Sequence, residues 1–143
     1  RLYRSLVEEE LAVAVYGGLQ ATIDPYLHGI TVVVHPERQV EEVLAALEAE
    51  FERLRSDPPP AQELERAVKQ ARALFAYGSE SITNQAFWLG YAEMFADYGW
   101  FATYLDRLAA ITPDDVQRIA QMYLRPQNRI TGVYLPENEG GAA

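Results

Sequence analysis

The chain has no cysteine. That excludes a disulfide framework, a thiolate nucleophile and any sulfur-ligated metal, while leaving the redox compartment open. Lysine is almost missing: of 12 basic residues only Lys69 is a lysine. There is no cluster of bases to follow a phosphate backbone, and 21 acids against 12 bases give a formal charge of -9, so nucleic acid is not expected as a partner. No run of 18 or more apolar residues occurs, and no basic start followed by an apolar core marks a signal peptide, so the chain as given reads as soluble, without a membrane span. The compartment stays open, with the cytoplasm slightly favoured. The chain also lacks an initiating methionine: Arg1-Leu2-Tyr3-Arg4 starts directly in an amphipathic stretch, as a fragment would.

What is present is enough for one core. The chain has 143 residues, 49% of them apolar and 11% aromatic, which predicts a single domain over 1–136 and a polar, glycine-bearing flexible tail over 137–143. Leu2, Tyr3 and Leu6 share one helical face ahead of Glu8-Glu9-Glu10, reading as the end of a helix. Leu11 to Tyr16 is rich in strand formers and stops at Gly17-Gly18. His28 to His35 sets Ile30, Val32 and Val34 on one face against Thr31 and Val33 on the other. Two antiparallel strands joined by a loop of about ten residues are expected.

Pro36 stands where a first helical position would be. Val40, Val43, Leu44, Leu47, Phe51 and Leu54 then follow at helical spacing, predicting a helix over about 37–55. Pro58-Pro59-Pro60 ends it, and a second helix opens at Gln62 with Leu64, Ala67, Val68, Ala71, Leu74 and Phe75 inward, closing or kinking at Gly78. A third runs over about 81–96, and Gly99 separates it from a shorter one. Thr112-Pro113-Asp114-Asp115 is an explicit helix start, with a capping hydroxyl, proline at the first position and an acid at the third. Arg125-Pro126 stops that helix, and 129–135 reads as a closing strand. The fold class is α+β, a mostly antiparallel sheet with several helices packed over it. Three strands are few for so much helix, so further strands are expected from upstream or from a partner.

The chemistry is mostly negative. A zinc site of the H-x-x-E-H or H-E-x-x-H kind needs two imidazoles on one helical face and a carboxylate to activate water; only His28 and His35 exist, and neither motif occurs. Seven residues apart on a strand, the two point to opposite faces and cannot share a metal unless a bulge lies between them. Ser5, Ser56, Ser79 and Ser81 have no G-x-S-x-G elbow and no local histidine. Gly17-Gly18 lacks the rest of a phosphate-binding loop, and Glu8-Glu9-Glu10 fan round a helix instead of converging. No catalytic, cofactor-binding or metal residue is assigned. Phe87, Trp88, Tyr91, Phe95, Tyr98, Trp100, Phe101 and Tyr104 are dense enough to line a groove, though helical spacing favours a core that can include an interface.

Several stretches carry a family likeness in order along the chain. Arg1 to Leu6, the following acids and Leu11-Ala12 resemble the "S-R-L-y-r-x-L-R-e-e-x-g-L-a-Y" stretch of pitrilysin/insulinase-type zinc metallopeptidases and mitochondrial processing peptidase. Pro60 to Lys69 resembles the "t-x-x-E-L-x-r-a-k" helix start, Ser79-Glu80-Ser81 the "l-E-S" junction, and Ile111 to Val116 the "I-x-x-v-T-x-e-D-v" start of the last long helix. The resemblance implies a partial lobe of a LuxS/processing-peptidase-like fold. It implies two homologous lobes or subunits, in a homo- or heterodimer, closing on unfolded peptide, with zinc expected in the full-length subunit or its partner. It also implies that a facing lobe supplies an Arg and a Tyr from the "L-R…L-a-Y" stretch. Here those places hold Val7 and, allowing one deleted residue, Val13, neither of which can donate to an oxyanion; Tyr16 is close but in another register. The expected function is thus a non-catalytic carboxy-terminal portion of a zinc metalloendopeptidase subunit, or else an inactive structural paralogue or an unrelated interaction module. The isolated chain is expected to be monomeric or weakly self-associating, with an open strand edge.

Overall fold

The structure, a computed structural model, describes residues 1–19, 22–24 and 26–136. The proposed tail at 137–143 and part of the loop between the strands lie outside the described residues.

The chain opens on a short π turn, Tyr3–Val7, whose Leu6 is fully buried. Three residues later Glu10 takes a left-handed backbone with φ 55°, at the point where the family pattern has its glycine, and the chain turns into β1, Ala12–Leu19. The Arg38 side chain holds that turn by donating from Nε to the Glu10 carbonyl at 3.2 Å. β2, His28–Val34, pairs antiparallel with β1, Val15 opposite Val32 and Tyr16 opposite Thr31. Between Ala12 and Ala14 the register shifts by one residue, so Val13 is the extra residue of a bulge. The shift puts Ala12 and Val15 on the same face, and that face is the buried one: Leu6, Ala12 and Val43 form the core, with Val15, Val32, Val34, Ala46 and Leu47 packed against them.

Five helices follow: α1, Val40–Ser56; α2, Ala61–Gly78; α3, Ile82–Phe95; α4, Tyr98–Ala109; and α5, Pro113–Tyr123. α1 lays Val43 and Leu47 on the β1–β2 ribbon, and α5 packs on α1. α3 packs on α4, which touches α2. The Arg1 guanidinium ties the start of the chain to α2 through Glu63, at 2.6 and 3.0 Å. The start of α5 is as its sequence demands: the Thr112 hydroxyl accepts the Asp115 N–H at 3.2 Å, and Asp115 accepts the Thr112 N–H at 3.1 Å. Replacing Thr112 by Ala would remove that cap at about 1 kcal/mol. The architecture is α+β, with an antiparallel two-stranded sheet covered by helix.

Three sequence expectations are corrected. β1 does not stop at Gly17-Gly18 but runs through both to Leu19, because extended glycines opposite Ile30 and Gly29 keep the ladder going. α1 begins at Val40, not near Glu37: Arg38 N–H closes a turn on the His35 carbonyl at 2.9 Å, and the Gln39 N–H donates to the Glu42 carboxylate at 2.9 Å, which fixes the helix start later than Pro36. The stretch 129–135 forms no strand. Its β-forming residues have no neighbour to pair with, and Ile130 and Tyr134 stand almost fully exposed.

Candidate functional site

The nucleophile and metal candidates are each taken up by local structure. His28 begins β2 opposite Leu19, whereas His35 lies just past its end, its Nδ1 accepting the Glu37 N–H at 3.3 Å. Seven strand residues put them roughly 20 Å apart, and the bulge lies in β1, so nothing in β2 brings them to one face. Ser5 and Ser79 donate to the carbonyls of Arg1 and Phe75 at 3.4 and 2.7 Å, Ser56 donates to Glu52 at 2.9 Å, and Ser81 caps α3 by accepting the Asn84 N–H at 3.1 Å. None of these bonds is to a histidine. Glu8 lies 3.9 Å from Arg4 at the surface, and among the described residues no group of three histidines and carboxylates could hold a metal ion.

The two places that matter in the family pattern fall in the opening turn and on the ribbon. Val7 ends the π turn and Val13 is the bulged residue, 56% exposed. Tyr16 is on the outer face of β1 beside Thr31 and is exposed too. The outer face of the ribbon therefore offers a phenol three residues from the place where the pattern has one, and no guanidinium at Val7.

The aromatic residues form one continuous chain of ring contacts. Phe87 stacks on Tyr91 at 5.9 Å; Tyr91 meets Phe95 edge-on at 5.3 Å; Phe95 meets Trp100 at 5.0 Å; Trp100 reaches Tyr104; and Tyr104 stacks on Phe75 at 4.9 Å. Phe75 joins from α2, which the sequence alone had placed only on that helix's inner side, and Tyr98 stays exposed outside the chain. Trp88 donates from Nε1 to the Gly78 carbonyl at 2.9 Å and with Phe75, Trp100 and Tyr104 walls a half-open apolar groove. These rings are not a closed core. α3 has a single charged residue, Glu93, and no polar face, since Thr83, Asn84 and Gln85 fall on different sides of it, yet Ile82 is 86% exposed and Phe87 61%.

A second assembly, not visible from sequence spacing, joins the ends of α1 and α5. Arg55 donates to Glu48 at 2.7 Å, to Glu52 at 2.5 Å and to the Leu124 carbonyl that closes α5. In return Gln117 donates to the carbonyls of Arg55 and Ser56 at 3.1 and 2.9 Å, and Gln121 donates to that of Arg55 at 2.8 Å. Each helix thus caps the other's orphan carbonyls. Arg129 adds a 2.5 Å bond to Glu48 and lies over the Phe51 ring. The Arg55 and Arg129 guanidiniums hold the Glu48 carboxyl below its ordinary value, Arg55 and the Ser56 hydroxyl do the same for Glu52, and the two carboxylates raise Arg55.

At the other end of α5 the Thr112 hydroxyl, then the Arg118 guanidinium and the Thr112 N–H, lower Asp115 from 3.8 to about 2. A carboxyl depressed in the folded state stabilises fully above its unfolded value, and that contribution is lost as pH falls toward the folded value. The melting temperature is therefore expected to drop between about pH 4 and pH 2, and Asp115→Asn to flatten that part of the curve in a calorimetric pH series. An unchanged slope in the variant would show that the cap carries no acid sensitivity.

Comparison with known proteins places this geometry. Residues 1–71 match the family model described as the peptidase M16 inactive domain. A search of curated proteins gives no match. Among solved structures, an inferred zinc protease from Bordetella pertussis Tohama I is 32% identical with a TM-score of 0.83, over 95% of this chain and 76% of that one. The inactive peptidase domain of an inferred zinc protease from Bordetella parapertussis is likewise 32% identical at 0.83, over 95% of this chain and 73% of that one. A protease from Helicobacter pylori shares the fold at 18% identity and a TM-score of 0.74, over 89% of this chain and 31% of that one. With its core ribbon inside the matched segment and helices that superpose on these relatives, the chain belongs to the M16 peptidase family and corresponds to its inactive domain.

Proposed function

We propose that the chain is a non-catalytic carboxy-terminal portion of a pitrilysin-like zinc metalloendopeptidase subunit, forming part of the wall of a peptide-enclosing chamber and the face that meets a homologous lobe or subunit. Residues 1–136 act in it as one unit that supplies no catalytic or metal-binding group. Zinc belongs to the complete subunit or to its partner.

The observation that carries this reading is α3. A mainly apolar helix with no polar face is stable when covered, and this one is open to solvent from Ile82 to Gly90. The whole chain exposes 11154 Å², whereas a compact monomer of its 16.1 kDa exposes roughly 7,400 Å². The excess of roughly 3,700 Å² exceeds what one partner contributes to an ordinary stable interface, about 800 Å². Covering by the rest of a lobe and by a second lobe accounts for both.

Apolar Val7 and Val13 favour the zinc-bearing side of such a pair over the side that donates an Arg and a Tyr; they equally suit an inactive paralogue with a structural role. One assay separates the two. Unfolded peptide is incubated with zinc and the complete protein, alone and with its homologous partner, beside this chain alone. Chelator-sensitive cleavage only in the complete assembly is expected. No cleavage in any combination would establish the structural paralogue, and cleavage by this chain alone would overturn both.

A further inference from the structure

Positive charge is scarce in this chain, and almost all of it is spoken for. Seven of the arginines sit in ion pairs. Arg107 and Arg125 donate to Thr103 and Asn128. The three remaining bases, Arg66, Lys69 and Arg72, bond to no described residue, and all three are on α2. They recur every three residues, so their stems rise along one side of the helix by roughly 4.5 Å each and the strip spans about 9 Å. Lys69 and Arg72, with Glu65 and Val68, line a shallow groove on that side. Glu65 stands four residues before Lys69, the favourable order for a helical ion pair, yet the pair is not made.

Like charges at this spacing destabilise a helix slightly, and a chain of net charge -9 has no need of them for solubility. An anionic partner would answer all three charges at once. Its size is limited by the strip: past a Debye length of about 8 to 10 Å, roughly the strip's own length, these charges are screened, and what a longer ligand would meet next is the surface of a chain of net charge -9. A long polyphosphate strand would run off the strip into that acidic field. A short run of carboxylates would not.

We propose that the outer side of α2 docks a short acidic segment of polypeptide, with Arg66, Lys69 and Arg72 meeting two or three carboxylates and Val68 contacting their stems. This docking face is independent of the chamber reading, since it needs neither zinc nor cleavage. The test is fluorescence anisotropy of a labelled oligoglutamate peptide with the complete protein at low salt, beside an oligoglutamine peptide. Glutamate-dependent binding is expected, weakened about tenfold or more in the Arg66→Glu/Lys69→Glu/Arg72→Glu variant, since three exposed ion pairs together amount to that, and weakened also by added salt. These side chains hold nothing else, so the variant should keep its circular dichroism; if it does not, Arg66→Gln/Lys69→Gln/Arg72→Gln is read by the same criterion. Equal affinity in the variant, or no binding by the unaltered protein, overturns the proposal. So does tighter binding of a DNA duplex or of phosphatidylserine vesicles than of oligoglutamate, either of which would assign the strip to phosphate.

Discussion

Leu6→Ala is expected to cost about 3 kcal/mol, the largest loss from any single truncation in the chain. Leu6 is the only large side chain with no exposed surface among the described residues, and it is wedged where the π turn, the ribbon and α1 meet. Its neighbours are fixed by different constraints: Ala12 and Val15 by strand pairing, Val43 and Leu47 by helix register. They cannot collapse together to fill the space, which is the circumstance in which a cavity is most costly. The midpoint of urea denaturation should fall with little change in slope, and Leu6→Met, which keeps the volume, should lose less than about 1.5 kcal/mol. A loss below about 1 kcal/mol for Leu6→Ala would mean that the ribbon does not depend on this core.

Arg55→Met should follow, at roughly 2 kcal/mol near neutral pH, because it removes several charge-assisted hydrogen bonds and orphans the Leu124 carbonyl while keeping the aliphatic stem. Arg55→Lys should restore only part of it, since an ammonium cannot hold a carboxylate and a carbonyl in the fixed fork of a guanidinium. The pH dependence distinguishes this network from simple packing. Glu48 and Glu52 are depressed below 4.5 in the folded state, so what they contribute is present above that value and is lost as pH falls below it. The gap in stability between the unaltered protein and Arg55→Met should therefore narrow on going from pH 7 to pH 3. A gap that stays constant would assign the loss to the guanidinium–carbonyl bond and packing alone.

The helices were legible because their ends are written in local chemistry. Pro58-Pro59-Pro60 and Thr112 with Pro113 and Asp115 act within a few residues of themselves, and tertiary structure did not override them. The alternation of Ile30, Val32 and Val34 was legible for the same reason, being enforced by a face half-buried under α1. Pro36 misled because a proline suits a turn as well as a first helical position, and the Gln39–Glu42 bond decided between them from further along. The stretch 129–135 misled because strand propensity expresses a fit to neighbours, and here there are none to fit. The Arg55 network was out of reach: its glutamine and carbonyl partners lie 62 to 69 residues away, and no spacing announces them. The α2 bases were passed over, since three in a chain of net charge -9 do not stand out as a cluster, and only the structure shows that among the described residues no acid answers them.

The bulge at Val13 gives β1 one more residue than β2 over the same length of ladder. Loss of the Val13 codon would therefore leave Ala12 and Ala14 adjacent, pairing regularly with the adjacent Val34 and Val33. Val15 and Tyr16 would keep Val32 and Thr31 as their partners, and with them their inner and outer faces. The bulge is thus the one point of the paired ribbon where β1 can change length by a residue without consequence for the core, whereas the same change further along the strand would turn its inner residues outward.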